Sequence, residues 1–492
     1  MSAAVGSGGV PAPTDAAVPT EEAAPPPTAV TSPGPTGTPF EIQPLATPTF
    51  PPTATLQATE VVGTLLYESQ PGDTLRAVAV RYAVLPADIS SPSLLPEANM
   101  LLDPGQILMI PNRVGETGPD EHLLPDSEVV FSPHAAEFDV VAFAEQQGGY
   151  LTRYREYIGD GWHYGPEIVA LAARDNAVNP RLLLAMLEAE SGWVTDPDAP
   201  VGDAFEYPMG EINPQIPGLY RQLSWLANEL GNGYYGWRAG ELTSLTLGEG
   251  TTLRIAPDLN AGTVALQYYY AGQAENLASW TEQLGPGGIL AQYRTFFGDP
   301  WDYEYILFEP GVEQPELVLP FEPNRIWSFT GGPHGAWERE SAWAALDFAP
   351  AAIESGCVDS TEWVVASAPG IVVRSSHGTV VLDLDGDGRE QTGWSLLYLH
   401  IAASGRVAEG TYLDVGDRIG HPSCEGGIAT GTHVHIARRY NGEWILADGP
   451  LPFVLSGWTA HAGAEAYQGA LTKGDDIVYA SPYGTHETLI IR

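Results

Sequence analysis

The 492-residue sequence has few cysteines and few basic side chains. It contains two cysteines, and its 21 lysines and arginines are outnumbered by 62 aspartates and glutamates, which gives a formal net charge of −41. Nucleic acids and anionic membrane surfaces are bound by basic patches, so neither is expected as a partner. Two cysteines also cannot supply the thiolates that a structural zinc site uses.

Long hydrophobic runs are missing as well. No stretch is long and apolar enough to span a bilayer, and no signal peptide opens the sequence. Met1 and Ser2 are followed directly by a low-complexity tract, which suggests that an export signal or anchor was removed or that the sequence is a fragment. The acidic composition fits an extracellular or cell-wall-associated protein.

Proline is abundant, and the uneven distribution of its 43 copies indicates where domains end. The Pro-, Thr- and Ala-rich N-terminal tract cannot bury enough apolar surface to offset the entropy of ordering, so it is predicted to be a disordered tether or an inert leftover. Six segments follow: a disordered linker over 1–62, a module over 63–113, a second linker over 114–134, a helical domain over 135–310, a connector over 311–325 and a β-rich domain over 326–492.

Segment 63–113 is predicted to be a β-α-α-β unit, with a first helix that begins near Leu75, a second helix near 87–94 and a last strand over 107–111. The runs Y-x-x-x-P-G-D-T-L and P-G-Q-I-L-M-I-P resemble the LysM module over nearly its whole length. This resemblance implies binding to N-acetylglucosamine-containing glycans such as peptidoglycan. A LysM-like spacer without affinity for glycans is the alternative.

Segment 135–310 is helical, with helices predicted over 166–174, 181–190, 219–230 and 260–271. The run N-P-R-L-L-L-A-M-L-E-A-E-S-G-W resembles the helix that ends in Glu-Ser-Gly in the lysozyme-like and lytic-transglycosylase fold. The resemblance implies that Glu190 is a general acid for a glycosidic oxygen. The glycine-rich, glutamine-containing motif of that family is not visible, and 196–209 stands in its place. A helical domain that only positions substrate is the alternative.

Segment 326–492 is rich in short apolar or alternating runs separated by Gly, Pro or Asp. Strands are predicted over 363–366, 370–375, 379–384, 395–400 and 433–438, and together they indicate an antiparallel sheet.

Five side chains in this segment could build a catalytic metal centre: His334, Asp347, His400, His433 and His435. His433 and His435 are one residue apart, and alternate residues of a strand point to the same face. Two neutral imidazoles, one carboxylate and an open fourth position are typical of catalytic zinc. Taken singly, each histidine could instead be an ordinary loop or core residue.

The runs L-D-F-A-P, A-P-G-I-V-V, Y-L-H and C-E-G-G-x-x-T-G-T-H-V-H resemble the LytM/lysostaphin-type zinc endopeptidases, and the beta-lytic/staphylolysin branch most closely. The resemblance implies that His334, Asp347 and His435 bind one zinc ion. It also implies that His400 and His433 lie near the catalytic water and the substrate carbonyl. Most relatives carry the first ligand four residues before the Asp, where this chain has Trp343.

Two further features accompany the proposed centre. Cys357 and Cys424 are expected to form one disulfide in an exported protein, with two buried thiols as the alternative. Asp383, Asp385 and Asp387 present oxygen ligands at alternate positions, a pattern that suits Ca²⁺. The twelfth position of an EF-hand is Trp394 here, so a simple Asp- and Gly-rich turn is the alternative.

The predicted fold class is therefore multidomain: a small βααβ LysM module, an α-helical lysozyme-like domain and an antiparallel β-sheet metallopeptidase domain. The predicted function is that of a secreted peptidoglycan hydrolase, a zinc endopeptidase that cleaves cell-wall peptide cross-links and is targeted by the LysM module. Two alternatives remain: a non-catalytic wall-binding scaffold or regulator, and a glycan-cleaving enzyme that acts through Glu190.

Overall fold

The N-terminal module pairs two strands and covers them with one helix. In the computed structural model, which describes residues 63–159, 161–337, 341–352 and 354–492, these elements are β1 (Thr64–Glu68), α1 (Leu75–Arg81) and β2 (Ile107–Pro111). Strands β1 and β2 are antiparallel. The hydroxyl of Thr74 accepts a hydrogen bond from the Ala77 N–H and caps α1. The predicted tether over 1–62 lies outside the described residues.

The second helix predicted near 87–94 is wrong. The segment contains only the 3₁₀ turn Pro86–Asp88. Pro92 and Pro96 explain the difference, because a residue that precedes proline is disfavoured in the α conformation. The Ser91 hydroxyl instead donates to the Ile107 carbonyl and ties this loop to β2. The module is therefore a βαβ unit with a short turn where a second helix was expected.

The module is fixed to the helical domain through Arg81. Its guanidinium pairs with buried Asp73 at 2.7 Å, donates to the Trp237 carbonyl at 2.9 Å and lies 4.5 Å from the centre of the Trp237 ring. Arg254 donates to the Arg81 carbonyl at 2.7 Å. A charge held in this way by a carboxylate, a carbonyl and an aromatic face anchors one domain to the next.

Within the residues that the structure describes, the helical domain is formed by seven helices of eight residues or more, one short helix and two small hairpins. The helices are α2 (Val140–Gln147), α3 (Gly165–Asn176), α4 (Pro180–Ser191), α5 (Asp203–Glu206), α6 (Leu219–Ala239), α7 (Ala261–Gln273), α8 (Leu277–Leu284) and α9 (Ile289–Phe297). The hairpins are β3 (Arg155–Ile158) with β4 (Gly161–Tyr164), and β5 (Ser244–Thr246) with β6 (Thr252–Arg254). The four predicted helices are confirmed, and α6 runs past its predicted end. None of the helices in the described part of the chain is long and apolar enough to cross a membrane.

The structure differs from the predicted linker over 114–134. Leu124 and Val129 are buried in the core of the helical domain. The fully buried Glu128 forms a two-point ion pair with Arg181 of α4, at 2.8 and 3.0 Å. Prolines and acidic residues separate the apolar positions of this segment, so its sequence shows neither a helical nor a strand period.

The C-terminal domain is built on a nine-stranded antiparallel sheet, as predicted. Eight of its strands lie in the order β13-β10-β11-β12-β15-β8-β7-β21, and β16 pairs with β15. These strands are β7 (Ile326–His334), β8 (Ala345–Pro350), β10 (Gly370–Ser376), β11 (Thr379–Asp383), β12 (Trp394–Leu399), β13 (Tyr412–Leu413), β15 (Val434–Tyr440), β16 (Glu443–Trp444) and β21 (Leu489–Ile491). The pair β9 (Val364–Val365) with β14 (Arg418–Gly420), and a four-stranded sheet of β17 (Val454–Leu455), β18 (Trp458–Ala462), β19 (Gly469–Lys473) and β20 (Asp476–Tyr479), complete it.

The two faces of the central strands have different neighbours. Leu346 on β8 and Ile436 on β15 point into the core of the β-domain. Ala345 and Ala437 belong to a second apolar cluster on the opposite face, and this cluster includes Ala177 of the helical domain. Side chains alternate along a strand, so Asp347, two residues after Ala345, and His435, two residues before Ala437, share the face of these alanines. The helical domain therefore packs on the face that carries Asp347 and His435.

Candidate metal centre

Three neighbouring strands bring the predicted ligands together. His334 is the last residue of β7, Asp347 lies in β8, and His435 lies in β15 directly opposite Asp347. The pairing of β7 with β8 is irregular between Gly331 and His334. Such an irregularity re-aims side chains relative to a regular strand, and here it turns His334 toward the same point as the other two.

The three ligand groups converge within hydrogen-bond distance of one another. His334 Nε2 lies 3.0 Å from His435 Nδ1, and each of these nitrogens lies 3.3 Å from Asp347 Oδ1. All three residues are buried, with exposed fractions of 2 %, 5 % and 7 % for His334, His435 and Asp347. Within the described residues, they form one of two clusters of His and acidic groups close enough to share a metal ion.

The hydrogen bonds at the outer nitrogens fix the tautomers of both rings. His334 Nδ1 lies 2.8 Å from the Gly332 carbonyl, and His435 Nε2 lies 2.9 Å from the Ala336 carbonyl. A carbonyl only accepts, so each of these nitrogens carries the proton. The inner nitrogens are then lone pairs that face each other, and Asp347 Oδ1 beside them is buried without a hydrogen-bond donor. Three electron-rich atoms in this arrangement fit a cation, and two imidazoles with one carboxylate fit zinc.

The pKa values of His435 and Asp347 are shifted in the directions that favour their metal-binding forms. Burial lowers the pKa of His435, so its ring is neutral near pH 7. Burial opposes ionisation of Asp347, but the positive charge that His334 and His433 carry when protonated, together with hydrogen bonding to the imidazoles, outweighs it and holds the pKa of that carboxyl well below its usual range. A neutral imidazole and an ionised carboxylate are the ligand forms of His and Asp.

His400 and His433 lie beside this cluster, and each ring also donates a hydrogen bond to a backbone carbonyl. His433 Nδ1 donates to the Gly431 carbonyl at 2.7 Å, and its Nε2 lies 3.7 Å from Asp347 Oδ2. His400 Nδ1 donates to the Glu425 carbonyl at 2.9 Å, and its ring centre lies 4.4 Å from that of His433. Burial, together with the neighbouring histidines, lowers the pKa of His400 to about 3. Both rings therefore have a nitrogen free to exchange a proton near the ligands.

Tyr467 also belongs to the site, and no sequence pattern indicated it. Its ring stacks on His334 with centres 4.1 Å apart and an interplanar angle of 22°. Its backbone carbonyl accepts from the Gly332 N–H at 2.9 Å, and its own N–H donates to the Pro333 carbonyl at 3.2 Å. Tyr467 thus holds the end of β7 and the plane of the His334 ring.

A disulfide joins Cys357 and Cys424, whose Cα atoms are 5.8 Å apart. The segment around Cys357 is also bonded to Thr432, because the Thr432 N–H donates to the Gly356 carbonyl and the Val358 N–H donates to the Thr432 hydroxyl. Thr432 directly precedes His433. The crosslinked loops therefore set the position at which β15 begins.

Carboxylates of the 383–388 turn accept hydrogen bonds from backbone N–H groups of the same turn. The ligand atoms of Asp383, Asp385 and Asp387 lie within 4.8 Å of one another. However, Asp383 accepts from three backbone N–H groups, those of Asp385, Gly386 and Gly388. This pattern is the one expected of an Asp- and Gly-rich turn. The calcium site stays a prediction.

Glu190 lies at the end of α4 and is not among the residues gathered at the metal centre. Its side chain is exposed along one edge and close to the loop at Gly210, where an added Cβ would lie 2.6 Å from Glu190 Oε1. Partial burial raises the pKa of its carboxyl. Glu188, two residues earlier, accepts hydrogen bonds from Val194 and Thr195 and closes the turn after the helix.

Comparisons with known proteins point to one group of relatives. Residues 122–310 match the family model described as LasA, N-terminal domain. The chain is 24 % identical over 356 residues to Protease LasA of Pseudomonas aeruginosa strain UCBPP-PA14, a match that covers 66 % of this chain and 75 % of that protein. The same protein of strain PAO1 is 24 % identical over 343 residues. The family match starts within the predicted linker and covers the helical domain, whose likeness to lysozyme stays a prediction.

Two solved structures are similar to part of this chain. The M23 metalloprotease pseudoalterin from the deep sea is 19 % identical, with a TM-score of 0.29, and the match covers 36 % of this chain and 99 % of that one. The catalytic domain of lysostaphin from Staphylococcus simulans is 21 % identical, with a TM-score of 0.19, over 25 % and 90 % of the two chains. Likeness of this extent transfers no residue roles to this chain.

Proposed function

We propose that this protein is a zinc-dependent endopeptidase that cleaves the peptide part of peptidoglycan. The observation that carries the proposal is the convergence of His334, His435 and Asp347, whose inner atoms lie 3.0–3.3 Å from one another. A zinc ion bound there would supply Lewis acidity to a water molecule and to a peptide carbonyl. The similarity to Protease LasA supports a peptidase.

The chain's own groups provide the rest of the chemistry. His334, Asp347 and His435 would hold the metal, and the backbone carbonyls of Gly332 and Ala336 orient the two imidazoles. His400 and His433, on the open side of Asp347, take a proton from the attacking water or give one to the leaving amine. Each ring donates a hydrogen bond from Nδ1 to a backbone carbonyl and presents Nε2 for this proton transfer.

The N-terminal module supplies attachment in this proposal. Its motifs resemble LysM, so we infer that residues 63–113 bind N-acetylglucosamine-containing glycan and that the protein works outside the cell, on the wall. The net charge of −41 is consistent with a location away from nucleic acids and anionic membranes.

One experiment tests the proposal directly. Purified protein is assayed for zinc, and its digest of peptidoglycan is analysed for newly released amines. The expected result is one equivalent of zinc and new amines, both lost in His334→Ala. A wild-type protein that binds zinc but releases no amine would leave the wall-binding scaffold as the better explanation.

A second activity has one observation in its favour. The raised pKa of the Glu190 carboxyl is the property of a general acid that protonates a glycosidic oxygen. New reducing ends in the same digest would indicate glycan cleavage, and their loss in Glu190→Gln would assign it to this residue.

A further inference from the structure

The β3–β4 hairpin has its outer face covered by aromatic rings. In its register Arg155 lies opposite Tyr164, and Tyr157 lies opposite Trp162, so these four side chains share one face. All four are exposed, and the three aromatic residues have exposed fractions of 57 %, 62 % and 53 % for Tyr157, Trp162 and Tyr164. The solvent face of a surface hairpin is ordinarily polar, so this pattern calls for a ligand.

The rings are held in place before any ligand arrives. Tyr157 and Trp162 meet edge to face, with centres 5.7 Å apart and an interplanar angle of 79°. The Arg155 guanidinium lies 5.0 Å from the centre of the Trp162 ring. Contacts of this kind orient aromatic rings without burying them.

The inner face connects the hairpin to one side of the metal centre. Glu156 accepts hydrogen bonds from the Tyr154 hydroxyl and the Tyr220 N–H. The Tyr220 hydroxyl in turn accepts from Trp337 Nε1 at 3.2 Å. Trp337 follows Ala336, whose carbonyl orients His435.

The tip of the hairpin connects to the other side. A Cβ at Gly159 would lie 2.9 Å from Cδ2 of His377, in the turn between β10 and β11. The next residue, Gly378, is packed so closely that a Cβ there would lie 2.6 Å from the backbone of Glu425. The Glu425 carbonyl accepts from His400. The hairpin is therefore connected through these contacts to the segment that orients His435 and to the segment that orients His400.

We propose that Arg155, Tyr157, Trp162 and Tyr164 form a platform that binds the glycan strand of the substrate while its peptide enters the metal site. This inference rests on the proposed function. A pyranose ring has an apolar C–H face and a rim of polar groups, which match the flat aromatic faces and the guanidinium donors. In a peptide-bearing glycan the sugar chain is linked to the peptide that is cut, and the hairpin that carries the platform is linked through Tyr220 and Trp337 to the segment that orients His435.

The test compares two substrates and four proteins. Intact peptidoglycan and a soluble, sugar-free peptide with the same scissile bond are hydrolysed by the wild type, Trp162→Ala, Trp162→Phe and Tyr412→Ala. Tyr412 is a matched exposed aromatic that pairs with Ile371, at the end of β10 away from His377. Trp162→Ala is expected to raise KM for peptidoglycan about ten-fold, the factor that corresponds to 1.4 kcal/mol, with no change for the free peptide. Trp162→Phe keeps a flat ring and should stay near the wild type, as should Tyr412→Ala.

A binding measurement separates this inference from the proposed function. Peptide-free strands of alternating N-acetylglucosamine and N-acetylmuramic acid are added to the wild type and to Trp162→Phe, and tryptophan fluorescence is recorded. The expected result is a change in the wild type that is lost in Trp162→Phe. If the fluorescence change on adding glycan is the same in the wild type and in Trp162→Phe, the platform is overturned, even if the protein is an active peptidase. A platform signal from a protein that cleaves no peptide would instead count against the endopeptidase alone. Equal effects of Trp162→Ala on both substrates also overturn the platform and would point to a structural or protein-binding role.

Discussion

His334 Nε2 and His435 Nδ1 face each other at 3.0 Å, and the hydrogen bonds at the other ring nitrogens assign both N–H protons to the far side of the rings. Both rings donate from their other nitrogen to a backbone carbonyl, so they cannot form a hydrogen bond with each other. Two lone pairs at this distance, next to a carboxylate oxygen without a donor, are stabilised by a cation. The metal centre is therefore encoded in the backbone around the ligands as much as in the ligands themselves.

Removal of a ligand should abolish metal binding. We expect His334→Ala to fall from one equivalent of zinc to a small fraction, with loss of peptidoglycan hydrolysis, because two remaining ligands bind zinc weakly. Zinc content by mass spectrometry and amine release measure the two effects. His461→Ala is the control, since His461 is exposed and bonded only to Thr472 among the described contacts. Retained zinc in His334→Ala with an unchanged fold would contradict the ligand assignment.

The two neighbouring histidines should affect turnover and not metal content. We expect His400→Ala and His433→Ala each to keep one equivalent of zinc and to lower kcat by about 10²–10⁴, the usual contribution of a general acid or base. Zinc analysis and kcat on the same preparations make the comparison. Loss of zinc in His433→Ala would mean that His433 is a ligand, although it lies outside the group of His334, Asp347 and His435, whose ligand atoms all lie within 4.8 Å of one another.

The disulfide should stabilise the C-terminal domain. Cys357 and Cys424 are 67 residues apart, and closure of such a loop stabilises by about 4 kcal/mol in the chain-entropy model. We expect the double variant Cys357→Ser, Cys424→Ser to unfold at a lower denaturant concentration than the wild type. It should also lose activity before it loses its secondary structure, because the bridge positions the loop before His433. Chemical denaturation and peptidoglycan hydrolysis are measured side by side. Equal midpoints for the two proteins would contradict a stabilising bridge.

A buried carboxyl between the helical and β-domains should make stability depend on pH. Glu443 accepts from the Tyr234 hydroxyl at 2.7 Å and lies 3.3 Å from Arg238, which also pairs with Asp126. Burial raises the pKa of Glu443 to about 6 from its ordinary value of 4.5, although Arg238 and Tyr234 oppose the rise.

A raised native pKa means that the folded state binds the proton more tightly than the unfolded state. The resulting stabilisation is complete below pH 4.5 and is lost as the pH rises to about 6. We expect the free energy of unfolding of the wild type, relative to that of Glu443→Gln, to decrease as the pH rises from 4.5 to about 6. Urea titrations at pH 4.5 and pH 7 measure it. A difference that grows with pH would show that the Arg238 charge dominates.

Glu190 should be separable from the peptidase. Because it lies outside the metal cluster, we expect Glu190→Gln to release amines from peptidoglycan at the wild-type rate. Any reducing ends formed by the wild type should disappear in this variant, since Gln cannot donate the proton. Glu188→Gln is a poor control, because Glu188 closes the turn after α4, so Glu145→Gln on the exposed side of α2 serves instead. A lower rate of amine release in Glu190→Gln would contradict the separation.

The sequence predicted those parts of the site that follow from local pattern. His433 and His435 share a strand face by spacing alone, and the strand predicted over 433–438 is β15. The strand that carries Asp347, β8, was not predicted, although Asp347 itself was a candidate ligand. Tyr467 was missed because a stacking contact between distant loops leaves no periodic trace. The same limit explains Glu128, whose burial depends on Arg181 in another segment, and the absent second helix of the N-terminal module, where Pro92 and Pro96 outweigh the helical residues around them.

The anchoring of Arg81 on Trp237 has a consequence for how such a protein would work on a polymer. If a glycan-binding module were joined by a flexible linker, the peptidase could reach and cleave bonds at many distances from the bound glycan. Here residues 63–113 are attached to the helical domain through Arg81, and both belong to the compact unit that carries the metal ligands. If the module binds glycan as proposed, its separation from the scissile bond is set by this attachment. Digestion of a regular wall should then leave fragments with a preferred length, set by the protein rather than by chance.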